Sequence, residues 1–279
     1  MTGQDPYLIR DFVPDFDALA AEFAKRSHAL SMRAEMRTDI PYGSRPRETL
    51  DVILPDRAKG DLPMHVFIHG GYWRSGEKAN YRFVAAPVLA AGGVAAFIEY
   101  DLMPGQRLSG LVDQARRAVC WLQAHAADFG ASPERITVSG HSAGAHLASY
   151  LAATGPQELS SPSLPALRGL LLVSGIYDLS DIPNSFLRDE AEMTAAEAAA
   201  WSPLSSQQRP GVQRIIAYGG DETAPFHDQA RRLHAVLKSN GEDAEQLSAP
   251  GLNHMSVVLD LADPNGILGR RLTDLIVSS

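Results

Sequence analysis

The chain has 279 residues, 45% of them hydrophobic and 21% charged, a balance that fills a sizeable core and, with 23 glycines and 18 prolines, excludes disordered and collagen-like classes. A net charge of −8 with no long basic block sets the surface against nucleic acid and anionic membranes, so neither is expected as a partner. The single cysteine, Cys120, excludes an internal disulfide, and within Arg117–Leu122 it reads as the buried side of an amphipathic helix.

The opening Met1-Thr2-Gly3-Gln4-Asp5-Pro6 lacks a basic patch followed by an apolar stretch, and no apolar run approaches bilayer length, so a cytoplasmic location is expected. The first forty residues, rich in alanine and charge at helical spacing, predict an accessory helix over about 8–36. Strands are predicted over Leu50–Leu54, His65–His69, Val94–Tyr100, Ile136–Ser139, Gly169–Ser174, Arg214–Tyr218 and Ala244–Leu247. Helices fall between them at about Tyr81–Ala91, Gly110–Phe129, Ala143–Ala153, Phe226–Ser239 and Ile267–Val277. That alternation predicts one α/β domain over 1–279, a mostly parallel, doubly wound sheet with helices on both faces. One departure is 182–203, where Thr194-Ala195-Ala196-Glu197 has the form of a capping box; the segment reads either as a small helical cover, a lid, or as a surface crossover.

Gly140-His141-Ser142-Ala143-Gly144 lies between a predicted strand and a predicted helix. A sharp turn there strains its central residue and brings the flanking chain so close that glycine is needed at 140 and 144, leaving the Ser142 hydroxyl exposed. Serine is a poor nucleophile until a base takes its proton, so a carboxylate and a histidine are required downstream. Asp221 follows the glycine turn after the strand Arg214–Tyr218, and His254 follows the next strand, at the same sheet edge. Glu222 is the rival acid and His227 the rival base. Asp221 is preferred because an orienting carboxylate is expected immediately past the turn, and His227 because of its place at a helix start reads as a local or surface group.

An attacked carbonyl also needs amide donors for its oxyanion. His69-Gly70-Gly71-Tyr72-Trp73 follows a strand, and the N–H groups of Gly71, Tyr72 and Ala143 are the candidates. His65 and His69 share a strand face but lack a third ligand of suitable spacing, so no metal is expected, and His69 fits as a brace for the glycine loop. No dinucleotide or triphosphate-binding sequence occurs, and no cofactor is expected.

Beyond these motifs, Ser75-Gly76, Lys78, Gly144-Ala145-His146-Leu147-Ala148, Leu171 through Leu179 and Asp221 through Ala230 complete a set that resembles the serine-dependent arylformamidases, or kynurenine formamidases, of the α/β-hydrolase superfamily. The resemblance runs from about Tyr42 to His254. It implies the α/β-hydrolase fold, a Ser142-Asp221-His254 triad, and hydrolysis of the small molecule N-formyl-L-kynurenine to kynurenine and formate. A broad carboxylesterase acting on short-chain or aryl esters with the same triad is the alternative, and a catalytically silent binding protein is the third reading. Tyr72 and Trp73 offer aromatic surface to a substrate ring, and His141 lies beside the serine. The family often carries an acidic residue before the catalytic histidine and an aromatic one after it; Asn253 and Met255, both bordering the site, stand there in this chain. The oligomeric state, homodimer included, has no sequence signature. Ser142→Ala is expected to abolish turnover while leaving substrate binding largely intact; full activity of that variant in a steady-state assay overturns the serine mechanism.

Overall fold

The computed structural model describes residues 4–56, 60–158 and 162–279; Met1–Gly3, where the reading for a leader began, lie outside them. Its strands are β1 (Glu35–Pro41), β2 (Thr49–Leu54), β3 (Leu62–Ile68), β4 (Val94–Ile98), β5 (Ala131–His141), β6 (Ala153–Thr154), β7 (Gly169–Val173), β8 (Gln207–Gln208), β9 (Gln213–Gly219) and β10 (Ala244–Ala249). Eight of them form one sheet in the order β1-β2-β4-β3-β5-β7-β9-β10, and β6 pairs with β8 apart from it. β2 runs antiparallel to both neighbours, and the pairs from β4 to β10 are all parallel. Every predicted strand is present. β1 was not anticipated: its residues alternate little in polarity, and residues 35–36 belong to it rather than to the accessory helix.

The helices are α1 (Phe16–Ser31), α2 (Ala85–Ala90), α3 (Leu108–Ala124), α4 (Ala143–Ser149), α5 (Arg188–Ala191), α6 (Ala195–Ala200), α7 (Ala224–Ser239), α8 (Ser256–Leu261) and α9 (Ile267–Val277). α2 and α8 pack against α9, and α3 packs against α4. The central strands are buried on both sides, which is why β3 and β7 read as nearly continuous apolar runs. Cys120 proves half-buried at the flank of α3, its sulfur 3.9 Å from the Ser163 carbonyl, rather than on the core side. Only half of the capping box forms: Thr194 Oγ1 accepts from the Glu197 amide at 3.1 Å and starts α6, while the Glu197 carboxylate accepts from the Leu108 amide at 2.9 Å instead of from that of Thr194. No helix among the described residues is long and apolar enough to cross a membrane.

The strand order turns back on itself at β3 and β5, since β4 lies to one side of β3 and β5 to the other. Open parallel sheets bind ligands in the crevice outside such a reversal. β3 and β5 pair directly, with Ile68 opposite Gly140, so the glycine loop and the serine turn leave the sheet side by side. The approach is close enough that a Cβ on Gly144 would lie 2.1 Å from the Ile68 carbonyl oxygen, and one on Gly140 2.3 Å from that of Gly144. Both obstacles are backbone and cannot rotate aside. Gly144→Ala should therefore destabilise the fold by about 2 kcal/mol or more, read as a lower urea midpoint with the slope preserved; an unchanged midpoint would show that the turn relaxes freely.

Candidate active site

Ser142 alone makes the turn from β5 to α4. Its backbone is held at φ 55° and ψ −120°, a strained state for an L-residue, and its amide donates to the Val173 carbonyl at 2.9 Å. Gly71, Tyr72 and Trp73 all have positive φ, at 119°, 51° and 59°. Strain at two bulky residues in succession re-aims the peptide groups of the loop, and the amides of Gly71, Tyr72 and Ala143 make no hydrogen bond within the described protein. These are the donors that the sequence singled out for an oxyanion.

The loop is braced from below. His69 Nδ1 bonds the Gly70 carbonyl at 2.7 Å, Nε2 bonds Glu99 at 2.7 Å, and its ring stacks on Tyr100 at 4.3 Å. Burial opposes ionisation of Glu99, but the bonds from His69 and from the Lys78 amide, with Arg47 nearby, hold its carboxyl below the usual range. His65 instead bonds Thr137 and Ser139 inside the sheet. Among the described residues no three His, Cys, Asp or Glu side chains are placed to hold a metal ion.

The acid assignment changes. Asp221 is exposed, and only its amide is engaged, donating to the Leu252 carbonyl at 3.0 Å. Glu222 is buried and takes the expected place: His254 Nδ1–H donates to its Oε2 at 2.8 Å. Its other oxygen accepts from Ser174 Oγ at 2.5 Å and from the Gly219 amide at 2.6 Å. The reason is the tightness of the turn. A Cβ on Gly219 would meet the Leu252 carbonyl at 2.1 Å, so the first residues past β9 are spent on backbone contacts with the β10 loop. The carboxylate that turns inward comes one residue later, on the longer side chain. The signal available in the sequence was the rival itself, since nothing in it fixed which residue of Asp221-Glu222 faced inward. His227 bonds the Gly219 carbonyl at 3.1 Å, a local contact as expected.

His254 Nε2 and Ser142 Oγ have no hydrogen-bond partner within the described protein, and both residues line one cavity of about 360 Å³. Gly71, Tyr72, His141 and Met255 line it too, and Phe16, Phe23, Tyr81 and Phe186 complete aromatic walls. His141 Nε2–H donates to the His254 carbonyl at 2.8 Å, with the two rings 4.7 Å apart; burial and the neighbouring imidazole hold His141 well below its ordinary pKa. A wider groove of about 780 Å³ lies at the amino ends of β5, β7 and β9, far from this sheet edge, and holds no histidine.

Two expected substrate contacts are not there. Trp73 is fully buried, its Nε1–H donating to His146 Nδ1 at 3.1 Å while His146 Nε2–H donates to the Trp201 carbonyl at 2.8 Å. An indole N–H needs a partner when buried, and His146 supplies it in the core, where burial lowers its pKa to about 4. Asn253 turns its Oδ1 to the amides of Met255 and Ser256 at 3.0 and 2.9 Å, capping the start of α8 instead of facing the cavity.

The segment missed as a wall of the site is the amino terminus. Leu8, Ile9 and the first turns of α1 line the cavity, whereas 182–203 contributes Phe186. Tyr72 Oη–H donates to the Tyr7 carbonyl, and burial raises that phenol well above its ordinary pKa. Helical spacing in the first forty residues announced a helix but not which part of the sheet it would cover.

Glu222→Gln keeps the shape of the acid but not the charge that orients and stabilises the imidazole, so kcat should fall by about 10²- to 10⁴-fold, with Asp221→Asn within about twofold of the parent. The reverse ranking in a steady-state assay would return the role to Asp221.

The BD-FAE family model matches residues 50–201. A kynurenine formamidase from Danio rerio is 30% identical over 247 residues, covering 86% of this chain and 82% of its own. Esterase LipQ from Mycobacterium tuberculosis is 29% identical over 290 residues, covering 91% and 68%. Among solved structures, a candidate thioesterase from Silicibacter sp. TM1040 superposes with a TM-score of 0.81 at 25% identity, covering 98% of both chains. By sequence and by architecture alike, the chain is a hydrolase of the α/β-hydrolase superfamily and belongs to the BD-FAE and kynurenine formamidase family.

Proposed function

We propose that the protein hydrolyses aryl formamides, N-formyl-L-kynurenine in the first place, to the free aryl amine and formate, with Ser142, His254 and Glu222 as the triad. The observation that carries this reading is the Glu222–His254 bond set beside Ser142 in an aromatic-walled cavity of about 360 Å³. That volume suits a ligand with a single aromatic ring. Similarity to the Danio rerio kynurenine formamidase supports the choice of substrate.

In this reading Ser142 Oγ attacks the formyl carbon as its proton passes to His254 Nε2, and Glu222 holds the imidazole by accepting from Nδ1. The new oxyanion accepts from the amides of Gly71, Tyr72 and Ala143. The imidazolium then gives its Nε2 proton to the aryl nitrogen, the C–N bond breaks, and the amine leaves a formyl ester on Ser142. Water, deprotonated by the same nitrogen, attacks that ester, and formate departs as the serine recovers its proton. Delocalisation of the aniline lone pair into the ring makes this nitrogen a better leaving group than an alkyl amine.

Esters would be cleaved by the same steps, and the similarity to esterase LipQ favours that second reading. The two separate in a comparison of kcat/KM on N-formyl-L-kynurenine, p-nitrophenyl acetate and p-nitrophenyl butyrate. The formamide is expected to be the preferred substrate; preference for butyrate with negligible formamide cleavage overturns the proposal.

A further inference from the structure

The charged side chains lining the cavity are Arg10 and Arg74, and among the described residues no aspartate or glutamate lines it. A cavity whose charged lining residues are both cationic runs against a chain of net charge −8. Both arginines are carried on fixed backbone. Arg74 follows the strained residues of the glycine loop, its guanidinium 5.9 Å from the Phe186 ring. Arg10 rides on the amino-terminal segment, which is pinned at several points: the Phe186 amide donates to Asp5 at 2.6 Å, Thr223 Oγ1 to the Pro6 carbonyl at 2.8 Å, and Tyr72 to the Tyr7 carbonyl.

Each arginine now has a weak partner at the rim. Arg10 pairs with Asp17 at 2.5 Å, with side chains 57% and 79% exposed. Arg74 Nε lies 2.5 Å from Glu190 Oε2, with side chains 31% and 47% exposed, yet that nitrogen has no hydrogen bond, so the carboxylate sits off the N–H direction. Exposed ion pairs are readily displaced because solvent screens them. An incoming carboxylate that engages the planar guanidinium with both oxygens makes the stronger contact.

We infer that Arg10 and Arg74 form a carboxylate-binding rim that selects substrates with an anionic group on the leaving amine or alcohol, and that Glu190 is the internal carboxylate such a substrate displaces from Arg74. The inference rests on the formamidase reading for its choice of substrate and is separable from it. The aryl ring occupies the aromatic walls, and the carboxylate of the tail meets the arginines at the mouth.

The test pairs substrates with and without a carboxylate-bearing tail: N-formyl-L-kynurenine against formanilide, and, with the carboxylate as the main difference, the acetate ester of 3-(4-hydroxyphenyl)propionate against phenyl acetate. Arg74→Gln should raise KM for the two carboxylate-bearing substrates about tenfold and leave the two neutral ones unchanged, with Arg10→Gln acting in the same direction. Glu190→Gln should lower KM for the carboxylate-bearing substrates by about two- to fivefold, an effect that a structural role for the pair would not produce. Ester discrimination that depends on Arg74, in an enzyme that cleaves neither formamide, keeps the rim and removes the formamidase reading. Equal effects on charged and neutral substrates, or none on either, overturn the rim.

Discussion

Pairing of β3 with β5 in the register that sets Ile68 opposite Gly140 is the constraint on which the site depends. It brings two chain segments, about seventy residues apart in sequence, off the same sheet edge at a separation that admits no side chain between them. The Gly144 α-carbon passes under the Ile68 carbonyl, and the first amide of α4 emerges beside those of the glycine loop. Slipping that register by one residue would turn the alternating side chains of a buried strand over to the opposite face. Core packing therefore fixes the relation between Ser142 and the free amides of the glycine loop.

The strain this entails is held by buried polar contacts. Ser142, Tyr72 and Trp73 sit at positive φ, each a local cost that the surroundings must offset. Under the loop, His69 joins Gly70 to Glu99 and Arg47; beside it, the indole of Trp73 is tied through His146 to the backbone at Trp201. On the other flank His141 holds the His254 carbonyl. Three of these histidines are thus spent on backbone position rather than on chemistry. Burial keeps His141 and His146 uncharged near neutral pH, which suits rings that donate through one nitrogen only.

Closure of the site comes from far away in the chain. The amino-terminal segment crosses the loop after β3, the 182–203 segment and the turn after β9, and walls one side of the cavity with aliphatic and aromatic side chains. The sheet edge carries Ser142, Glu222 and His254; this strap adds Leu8, Ile9, Phe16 and Phe23 to walls that Tyr72, Tyr81 and Phe186 complete.

Much of this was legible in the sequence. The seven predicted strands stand because buried parallel strands are written as apolar runs, and Ser142, His254 and the glycine loop stand at strand ends because turns of this kind demand glycine at set positions. β1 and the short pair β6–β8 carry no such pattern; tertiary pairing alone makes them strands. Trp73 and Asn253 were read as facing a substrate because sequence places a residue near a site without saying where its side chain turns, and in both cases an unsatisfied hydrogen-bonding group found a partner in the protein first. The order of chemical groups along the chain, serine then acid then histidine, was thus set by the sequence, because each follows a strand that its own residues specify. Which carboxylate of Asp221 and Glu222 turned inward, and what roofed the cavity, were decided only by the close passage of the β9 and β10 loops and by the docking of the amino terminus, contacts between segments whose spacing along the chain carries no information about their meeting.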